Sequence, residues 1–235
     1  MWGKPISLAK ESLKLFVKSL PEGSMFNVIS FGSSFESIFA SPVEYSNSNV
    51  NMALTVLQEF DANLGGTEIY APLESAFKNP SSSLQKHVYL ITDGCISDEQ
   101  NVISLILTNN ATHCVHTIGI GSGVSTSLII EASAAGRGSH YFVDEKATGL
   151  NEIIINALCA SMEPAYQILD RKLNLNGQPI LQHPLFDAGG FLRHGSSFEY
   201  YGIIESEDVE LKGSISIGIM NTKTKEKSLL DINLS

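Results

Sequence analysis

Short apolar runs alternate with amphipathic stretches along the first two thirds of the chain. In residues 6–20 the apolar side chains recur at intervals of three and four positions, which predicts an amphipathic helix that Pro21 and Gly23 end. Residues 25–31 are a short and mostly apolar run, which predicts one strand buried on both faces. Residues 35–39 form a weaker apolar stretch that is typical of an edge strand.

The same alternation continues as far as residue 160. The pattern predicts helices over residues 51–60, 69–77, 102–106, 128–136 and 150–158, and buried strands over residues 87–92, 114–120 and 141–143. Strands that alternate with helices are joined by right-handed crossovers, so we expect an α/β fold with a doubly wound, mostly parallel sheet. In such sheets, ligands bind beyond the carboxyl ends of the strands.

The pattern of apolar and polar residues changes after Met162. Prolines and glycines there separate short apolar runs at residues 168–175, 198–204 and 214–220, a pattern typical of antiparallel strands. We therefore expect two parts, an α/β domain over residues 1–162 and a β-rich segment over residues 163–235. Because an apolar run at residues 229–232 lies against the end of the chain, the β-rich segment is expected to be incomplete.

Composition and charge exclude several classes of protein. Of the 235 residues, 43% are hydrophobic, which excludes a wholly disordered chain. The 25 acidic and 15 basic residues give a net charge of -10, so the mean field repels phosphate backbones and we expect no nucleic-acid partner. No run reaches the roughly 18–20 apolar residues that cross a bilayer. Charged residues interrupt the N-terminal apolar positions, so no signal peptide is predicted. The sequence does not determine the cellular compartment, although it favours a cytoplasmic location.

The cysteine and histidine patterns predict no clustered metal site. The three cysteines are widely spaced and contain no C-x-x-C pair, so we expect buried free thiols: Cys95, Cys114 and Cys159. His113 and His116 lie at an odd separation on one predicted strand, which directs their side chains to opposite faces and prevents shared chelation. The other histidines are interpreted as isolated: His87, His140, His183 and His194.

Two predicted loops carry oxygen ligands at the carboxyl edge of the sheet. The first is residues 65–68 (Gly-Gly-Thr-Glu), and the second is residues 92–94 (Thr-Asp-Gly), which end a buried strand. The hydroxyl of Thr67 and the carboxylate of Asp93 are hard oxygen donors, which suit Mg²⁺. Taken alone, the two loops are also explained as a tight turn and a strand terminator.

The order of the segments resembles the von Willebrand factor A domain. The motifs that carry the resemblance are residues 4–6 (Lys-Pro-Ile), 26–32, 64–69 (Leu-Gly-Gly-Thr-Glu-Ile), 90–94 (Leu-Ile-Thr-Asp-Gly) and 117–121 (Thr-Ile-Gly-Ile-Gly). The resemblance covers nearly all of residues 1–160 and is closest to the type found in inter-alpha-trypsin-inhibitor heavy chains and vault poly(ADP-ribose) polymerase. The β-rich segment also looks like the region that follows the domain in that type.

The resemblance implies a metal-ion-dependent adhesion site, in which a D-x-S-x-S motif, a threonine and an aspartate hold a divalent ion. Thr67 matches the threonine and Asp93 matches the aspartate, whereas the D-x-S-x-S motif is absent. In the family this motif precedes a stretch similar to residues 1–6, so we expect the domain to be truncated at its N-terminus and to lack its first, central strand. With two direct protein ligands, Mg²⁺ binding is expected to be weak.

The function that this resemblance implies is a non-catalytic protein-interaction module. An acidic side chain of a protein partner would complete the coordination of the ion at the partial site. Two alternatives stay open: a hydrolase that uses Asp93 with a metal ion, and a non-functional fragment. Motifs of other enzyme classes are missing, since the sequence has no Walker A motif and no G-x-S-x-G, and residues 119–124 lack the third glycine of a dinucleotide site.

Overall fold

The structure is a computed structural model of the chain. It describes residues 4–60, 65–78, 86–110, 112–144, 150–162, 166–175, 178–179, 191–192, 212–221 and 224–234. The chain forms two compact units, residues 1–162 and residues 163–235, which are described separately below. None of the described helices is both long and apolar enough to span a bilayer.

The N-terminal unit alternates helices and strands. Its helices are α1 (Lys4–Lys18), α2 (Asn47–Glu59), α3 (Tyr70–Phe77), α4 (Glu99–Asn109), α5 (Thr126–Ala135) and α6 (Leu150–Met162). Its strands are β1 (Met25–Phe26), β2 (Ile29–Phe31), β3 (Phe35–Ser37), β4 (Val43–Glu44), β5 (Lys86–Thr92), β6 (His113–Ile120) and β7 (Arg137–Val143). Helix α2 begins earlier than predicted, because the Ser46 side chain caps it by accepting a hydrogen bond from the Asn49 amide.

A parallel sheet of β5, β6 and β7, in that order, forms the centre of this unit. Every residue of β6 is buried, as expected for the middle strand of a sheet covered on both faces. One apolar cluster joins α3, α4 and α5 to one face of the sheet, and a second cluster joins α1 and α6 to the other face. The predicted doubly wound α/β fold is therefore confirmed. Among the described strands, only β6 pairs with β5, so one edge of β5 has no described partner.

Residues 25–31 do not form the single buried strand that their apolar pattern predicts. They form β1, which pairs antiparallel with β4, and β2, which pairs antiparallel with β3. The Asn27 side chain causes the break: its Oδ1 accepts hydrogen bonds from the Val28 amide (2.8 Å) and the Phe39 amide (3.1 Å). Its Nδ2 donates to the Phe39 carbonyl oxygen at 2.9 Å. The Asn27 side chain thus makes hydrogen bonds that the backbone of a neighbouring strand would otherwise make. The hydrophobic periodicity of the sequence does not show this replacement.

Replacing Asn27 with leucine is expected to lower the free energy of unfolding by about 2–3 kcal/mol, because three part-buried backbone groups lose their partner. Asn27→Asp keeps the two accepting contacts and should lose about half as much. Urea unfolding of both variants measures this. A loss below about 0.5 kcal/mol for Asn27→Leu would show that the side chain does not hold the two segments together.

Strand β7 is longer than the predicted residues 141–143. It begins at Arg137, directly after Gly136 caps α5, and Arg137 has a φ of 54°. The Val115 amide of β6 donates to the Gly136 carbonyl oxygen at 3.1 Å, and a Cβ on Gly138 would overlap the Val115 backbone. Gly136 and Gly138 therefore allow β7 to lie against β6. From the sequence pattern, Gly136 was predicted only to end a helix.

The C-terminal unit is an antiparallel sheet. Its described strands are β8 (Tyr166–Leu175), β9 (Gln178–Pro179), β10 (Phe191–Leu192), β11 (Gly213–Asn221) and β12 (Lys227–Leu234). They pair in the order β10-β8-β11-β12, with β9 added to β8. The predicted strands at residues 168–175 and 214–220 are confirmed, and the apolar run at residues 229–232 lies in β12. The predicted run at residues 198–204 lies outside the described residues.

Candidate functional site

Asp93 follows the last residue of β5, at the carboxyl edge of the parallel sheet. The preceding residue, Thr92, is buried, and its hydroxyl oxygen accepts a hydrogen bond from the Gly94 amide at 3.3 Å. Asp93 itself is half-buried. The strand therefore fixes the backbone of Asp93, and the residue as a whole is partly accessible to solvent.

The loop that carries Thr67 is anchored to the turn between β2 and β3. The Gly66 amide donates to the Ser33 hydroxyl oxygen at 2.9 Å, and the Glu68 amide donates to the Gly32 carbonyl oxygen at 2.8 Å. Gly65 has a φ of +79°, and a Cβ on it would lie 2.8 Å from the Ser33 hydroxyl oxygen. The positive φ favours glycine at this position, and a Cβ there would also force the Ser33 hydroxyl to turn away.

The structure brings the Thr67 hydroxyl against the residue that follows Asp93. A Cβ placed on Gly94 would lie 3.0 Å from Thr67 Oγ1, so the threonine hydroxyl lies next to Gly94, the residue that follows Asp93. Both Thr67 and Asp93 are half-buried. The two oxygen donors singled out from the sequence therefore share one edge of the sheet, and their chemistry fits a hard divalent ion such as Mg²⁺.

Sequence reasoning missed the other residues at this edge. Ser33 supports the Thr67 loop, and Cys95 donates from its Sγ to the Gly123 carbonyl oxygen at 3.4 Å. Cys95 and Cys159 are exposed and only Cys114 is buried, so the prediction of free thiols is confirmed but the predicted burial is wrong for two of the three. In the sequence, Ser33 indicates only the end of a predicted strand. The contact between residues 95 and 123 is formed by the fold and has no signal in the sequence.

A second group of polar side chains lies near the amino ends of β5 and β6. His87 Nδ1 is 3.1 Å from His116 Nε2, and Cys114 Sγ is 3.4 Å from the same nitrogen. The interpretation of His87 as isolated is therefore wrong. Parallel pairing places His87 opposite Cys114 and Tyr89 opposite His116, so these side chains share one face of the sheet. Only the register of two strands far apart in sequence brings them together.

His113 faces the other side of the sheet from His116, as its odd separation predicts. Its ring packs on Phe77 of α3, with the ring centroids 4.9 Å apart, whereas the His116 ring stacks on Tyr89. His113 is 4% exposed, and its Nε2 has no hydrogen-bond partner among the described residues. Burial, together with the positive charge of Lys86, lowers the pKa of His113 below its usual range. The folded unit therefore favours the neutral form of this ring.

Acidification is expected to destabilise the protein through His113. As the pH falls, the His113 ring of the unfolded chain takes up a proton near pH 6.5, whereas the ring of the folded unit does so only at a lower pH. The neutral, buried ring therefore contributes its full stability above pH 6.5. That contribution is lost as the pH falls from 6.5 towards the lowered pKa of His113 in the folded unit. The slope for this one group is at most about 1.4 kcal/mol per pH unit. Urea unfolding at pH 7.5 and 5.5 should show a smaller decline for His113→Phe than for the unsubstituted chain. Equal declines would contradict this assignment.

Comparison with known proteins decides which family this chain belongs to. A family profile described as "von Willebrand factor type A domain" matches residues 1–142, more than half of the chain. The chain belongs to the von Willebrand factor type A domain family. Members of this family are generally protein-interaction modules. The expected resemblance to that domain is thereby confirmed.

The similar curated proteins are much longer than this von Willebrand factor type A chain. Rat von Willebrand factor A domain-containing protein 5A is 38% identical over 162 residues, which cover 66% of this chain and 20% of that protein. The human protein of the same name is 36% identical over 163 residues, which cover 69% of this chain and 21% of the relative. These relatives are of the 5A type, so the expected closeness to inter-alpha-trypsin-inhibitor heavy chains stays a prediction.

Solved structures share the fold at low sequence identity. A structure named von Willebrand factor type A from Catenulispora acidiphila has a TM-score of 0.62 at 15% identity, and covers 96% of this chain and 61% of its own. Proximal thread matrix protein 1 from the mussel byssus, with a zinc-occupied MIDAS motif, has a TM-score of 0.53 at 19% identity, over 65% of this chain and 39% of that chain. At these identities the likeness shows the fold alone.

Proposed function

We propose that the N-terminal unit is a non-catalytic protein-interaction module whose binding edge is formed by the loops at residues 65–68 and 92–95. In this proposal Thr67 and Asp93 hold a divalent ion, Mg²⁺, and a protein partner supplies an acidic side chain that completes its coordination. The observation that carries the proposal is the position of the Thr67 hydroxyl next to Gly94, the residue that follows Asp93. This contact supports the proposal that the Thr67 hydroxyl and the Asp93 carboxylate act together.

The charge of a bound ion explains how such an edge would select its partner. A divalent cation held by one carboxylate keeps a net positive charge, which attracts an anionic oxygen in place of a water molecule. A carboxylate from a partner is such a ligand, and its binding would then depend on the ion. With Thr67 and Asp93 as the protein ligands, affinity for Mg²⁺ alone is expected to be on the order of millimolar, because waters fill the other positions.

One comparison supports the proposal of a divalent-ion site. The mussel byssus protein carries a zinc-occupied MIDAS motif, so a protein of this fold can hold a divalent ion. This chain spans about a fifth of the length of the curated relatives it matches, at 20% and 21%, so the partner and activity of a whole relative are proposals here too. We also propose, from the order of the motifs alone, that the chain is of the type found in inter-alpha-trypsin-inhibitor heavy chains and vault poly(ADP-ribose) polymerase.

The non-catalytic part of the proposal depends on which groups lie near Asp93. The structure places the Thr67 hydroxyl, the Gly94 backbone and the exposed Cys95 thiol at this edge. A hydroxyl and a carboxylate serve to hold an ion. Hydrolysis with a metal ion also needs a general base or a second metal ligand that activates water. The strand next to β5, which is β6, is followed by Gly121 and Ser122, and neither is an acidic metal ligand or a general base.

Chelator-sensitive binding tests the proposed function. The full chain is immobilised, and proteins retained with Mg²⁺ are compared with those retained with EDTA, for the unsubstituted chain, Asp93→Ala and Asp98→Ala. Asp98 is the matched control, because it is an exposed carboxylate close to Asp93 in the chain whose Oδ1 accepts from Asn101. We expect one set of partners that is lost with EDTA and with Asp93→Ala but kept with Asp98→Ala. Partners that are retained equally under all these conditions would contradict the metal-dependent edge.

A further inference from the structure

We propose that His87, Cys114 and His116 form a second cation site, suited to Zn²⁺, which is separate from the Thr67–Asp93 edge. His87 lies near the start of β5 and Asp93 follows its end, so the two sites are about 20 Å apart along one strand. The ligands are two imidazole nitrogens and one sulfur, whereas the Thr67–Asp93 edge offers hard oxygens. This inference goes beyond the proposed function, and neither depends on the other.

The distances between the three ligand atoms fit one tetrahedral ion. Tetrahedral zinc with bonds of about 2.0–2.1 Å to nitrogen and about 2.3 Å to sulfur places its ligand atoms about 3.3–3.6 Å apart. His87 Nδ1 and His116 Nε2 are 3.1 Å apart, and Cys114 Sγ is 3.4 Å from His116 Nε2. All three ligand atoms lie within 4.8 Å of one another. Small movements of the half-buried His87 ring bring its Nδ1 to the separation that zinc requires.

The sheet holds these ligands rigidly and leaves one side open to entry. Cys114 and His116 are fully buried on the middle strand, whereas His87 is half-buried on the neighbouring strand and gives a path from solvent. The Tyr89 ring stacks on the His116 ring at 4.7 Å between centroids, and the Tyr89 hydroxyl donates to the Ala157 carbonyl oxygen at 3.2 Å. Fixed rings of this kind lower the cost of ordering a metal site.

Zinc binding requires a defined rearrangement of protons. The Ser139 amide donates to His116 Nδ1 at 3.1 Å, so the neutral metal-free ring carries its proton on Nε2. When zinc binds Nε2, that proton moves to Nδ1, the hydrogen bond from Ser139 is lost, and the Ser139 amide moves away from the new Nδ1–H group. The Cys114 thiol, which donates to the Arg137 carbonyl oxygen at 3.3 Å, becomes a thiolate and releases one proton to solvent. The Ser139 amide therefore reports binding at this site.

The nature of the ligands distinguishes this site from the proposed Mg²⁺ edge. Thiolate and imidazole ligands prefer zinc, and Mg²⁺ prefers oxygen ligands with several waters. An excess of Mg²⁺ is therefore expected to leave the His87–Cys114–His116 site empty. Titrations in the presence of Mg²⁺ keep the two sites apart experimentally.

Cobalt substitution tests the site. The reduced full chain, in excess Mg²⁺, is titrated with Co²⁺, which gives an ultraviolet thiolate-to-metal band only when sulfur is a ligand, and then with Zn²⁺. We expect one Co²⁺ per chain with that band, its displacement by Zn²⁺, and a shift of the Ser139 amide resonance. Cys114→Ser should abolish the band, while Cys95→Ser and Cys159→Ser, at the two exposed thiols, should leave it unchanged.

A second pair of variants covers the case in which Cys114→Ser does not fold. His87→Gln changes a half-buried residue on β5, and His140→Gln changes an exposed histidine on β7 as its matched control. We expect His87→Gln to weaken Co²⁺ binding at least about tenfold and His140→Gln to leave it unchanged. The proposal is overturned if the unsubstituted chain shows no thiolate band, if Cys95→Ser removes it, or if His87→Gln binds as the unsubstituted chain does.

Discussion

Replacing Gly138 with alanine is expected to lower the free energy of unfolding of the N-terminal unit by about 3 kcal/mol. A Cβ at this position would overlap the carbonyl group of Val115 and would lie 3.0 Å from the His116 amide nitrogen. These are backbone atoms of β6, whose residues are all buried. They cannot move away without weakening the pairing of β6 with β7, so no side-chain adjustment relieves the overlap.

Gly123→Ala is the matched control for this prediction. A Cβ on Gly123 has the Asp93 carbonyl oxygen as its nearest neighbour at 3.6 Å, which is ordinary van der Waals contact. We expect Gly123→Ala to change stability by no more than about 0.5 kcal/mol. Urea unfolding followed by circular dichroism compares the two variants. If Gly138→Ala loses no more stability than Gly123→Ala, the close approach of β7 to β6 is wrong.

Replacing Asp93 with alanine is expected to weaken binding of Mn²⁺, used as a spectroscopic substitute for Mg²⁺, by at least about tenfold. Asp93 supplies the negative charge of the proposed pair, so its loss removes the larger part of the attraction for the ion. Thr67→Val removes a neutral hydroxyl and keeps the side-chain shape, so its effect should be smaller. Asp98→Ala should leave binding unchanged, because Asp98 is no part of the proposed pair and its carboxylate accepts a hydrogen bond from the Asn101 side chain.

The electron paramagnetic resonance signal of free Mn²⁺ measures these affinities. Its loss on titration with protein gives the bound fraction, and the millimolar range expected here needs high protein concentrations. A graded series, with Asp93→Ala weaker than Thr67→Val and both weaker than Asp98→Ala, is the expected result. If all the variants bind Mn²⁺ equally, the ions bind scattered acidic groups rather than this edge.

The fold could be predicted from the sequence because its signals are local. The apolar runs that became β5 and β6, and the amphipathic stretches that became α1, α4 and α6, each show their period within about a dozen residues. The general rule that parallel strands present their carboxyl ends together places Asp93 at this edge. Thr67 follows α2 rather than a strand of the parallel sheet, so its place at the edge was expected from the order of the family's motifs and not from this rule.

The features that the sequence did not predict depend on contacts between distant segments. The cluster of His87 with Cys114 and His116 requires the exact pairing of β5 with β6, which no local pattern encodes. The break at Asn27 depends on its hydrogen bonds to Phe39, twelve residues away. A side chain that substitutes for backbone pairing looks, in the sequence, like any polar residue in an apolar run.

Paramagnetic broadening by Mn²⁺ tests the central claim, that Thr67 and Asp93 hold a divalent ion at the carboxyl edge of the sheet. Amide resonances of the full chain are recorded with increasing Mn²⁺, for the unsubstituted chain and for Asp93→Asn, which removes the charge and keeps the shape. The account predicts that the amides of Thr67, Asp93 and Gly94 broaden first, and that this selectivity disappears in Asp93→Asn. Broadening that begins elsewhere, or that is the same in Asp93→Asn, would contradict it.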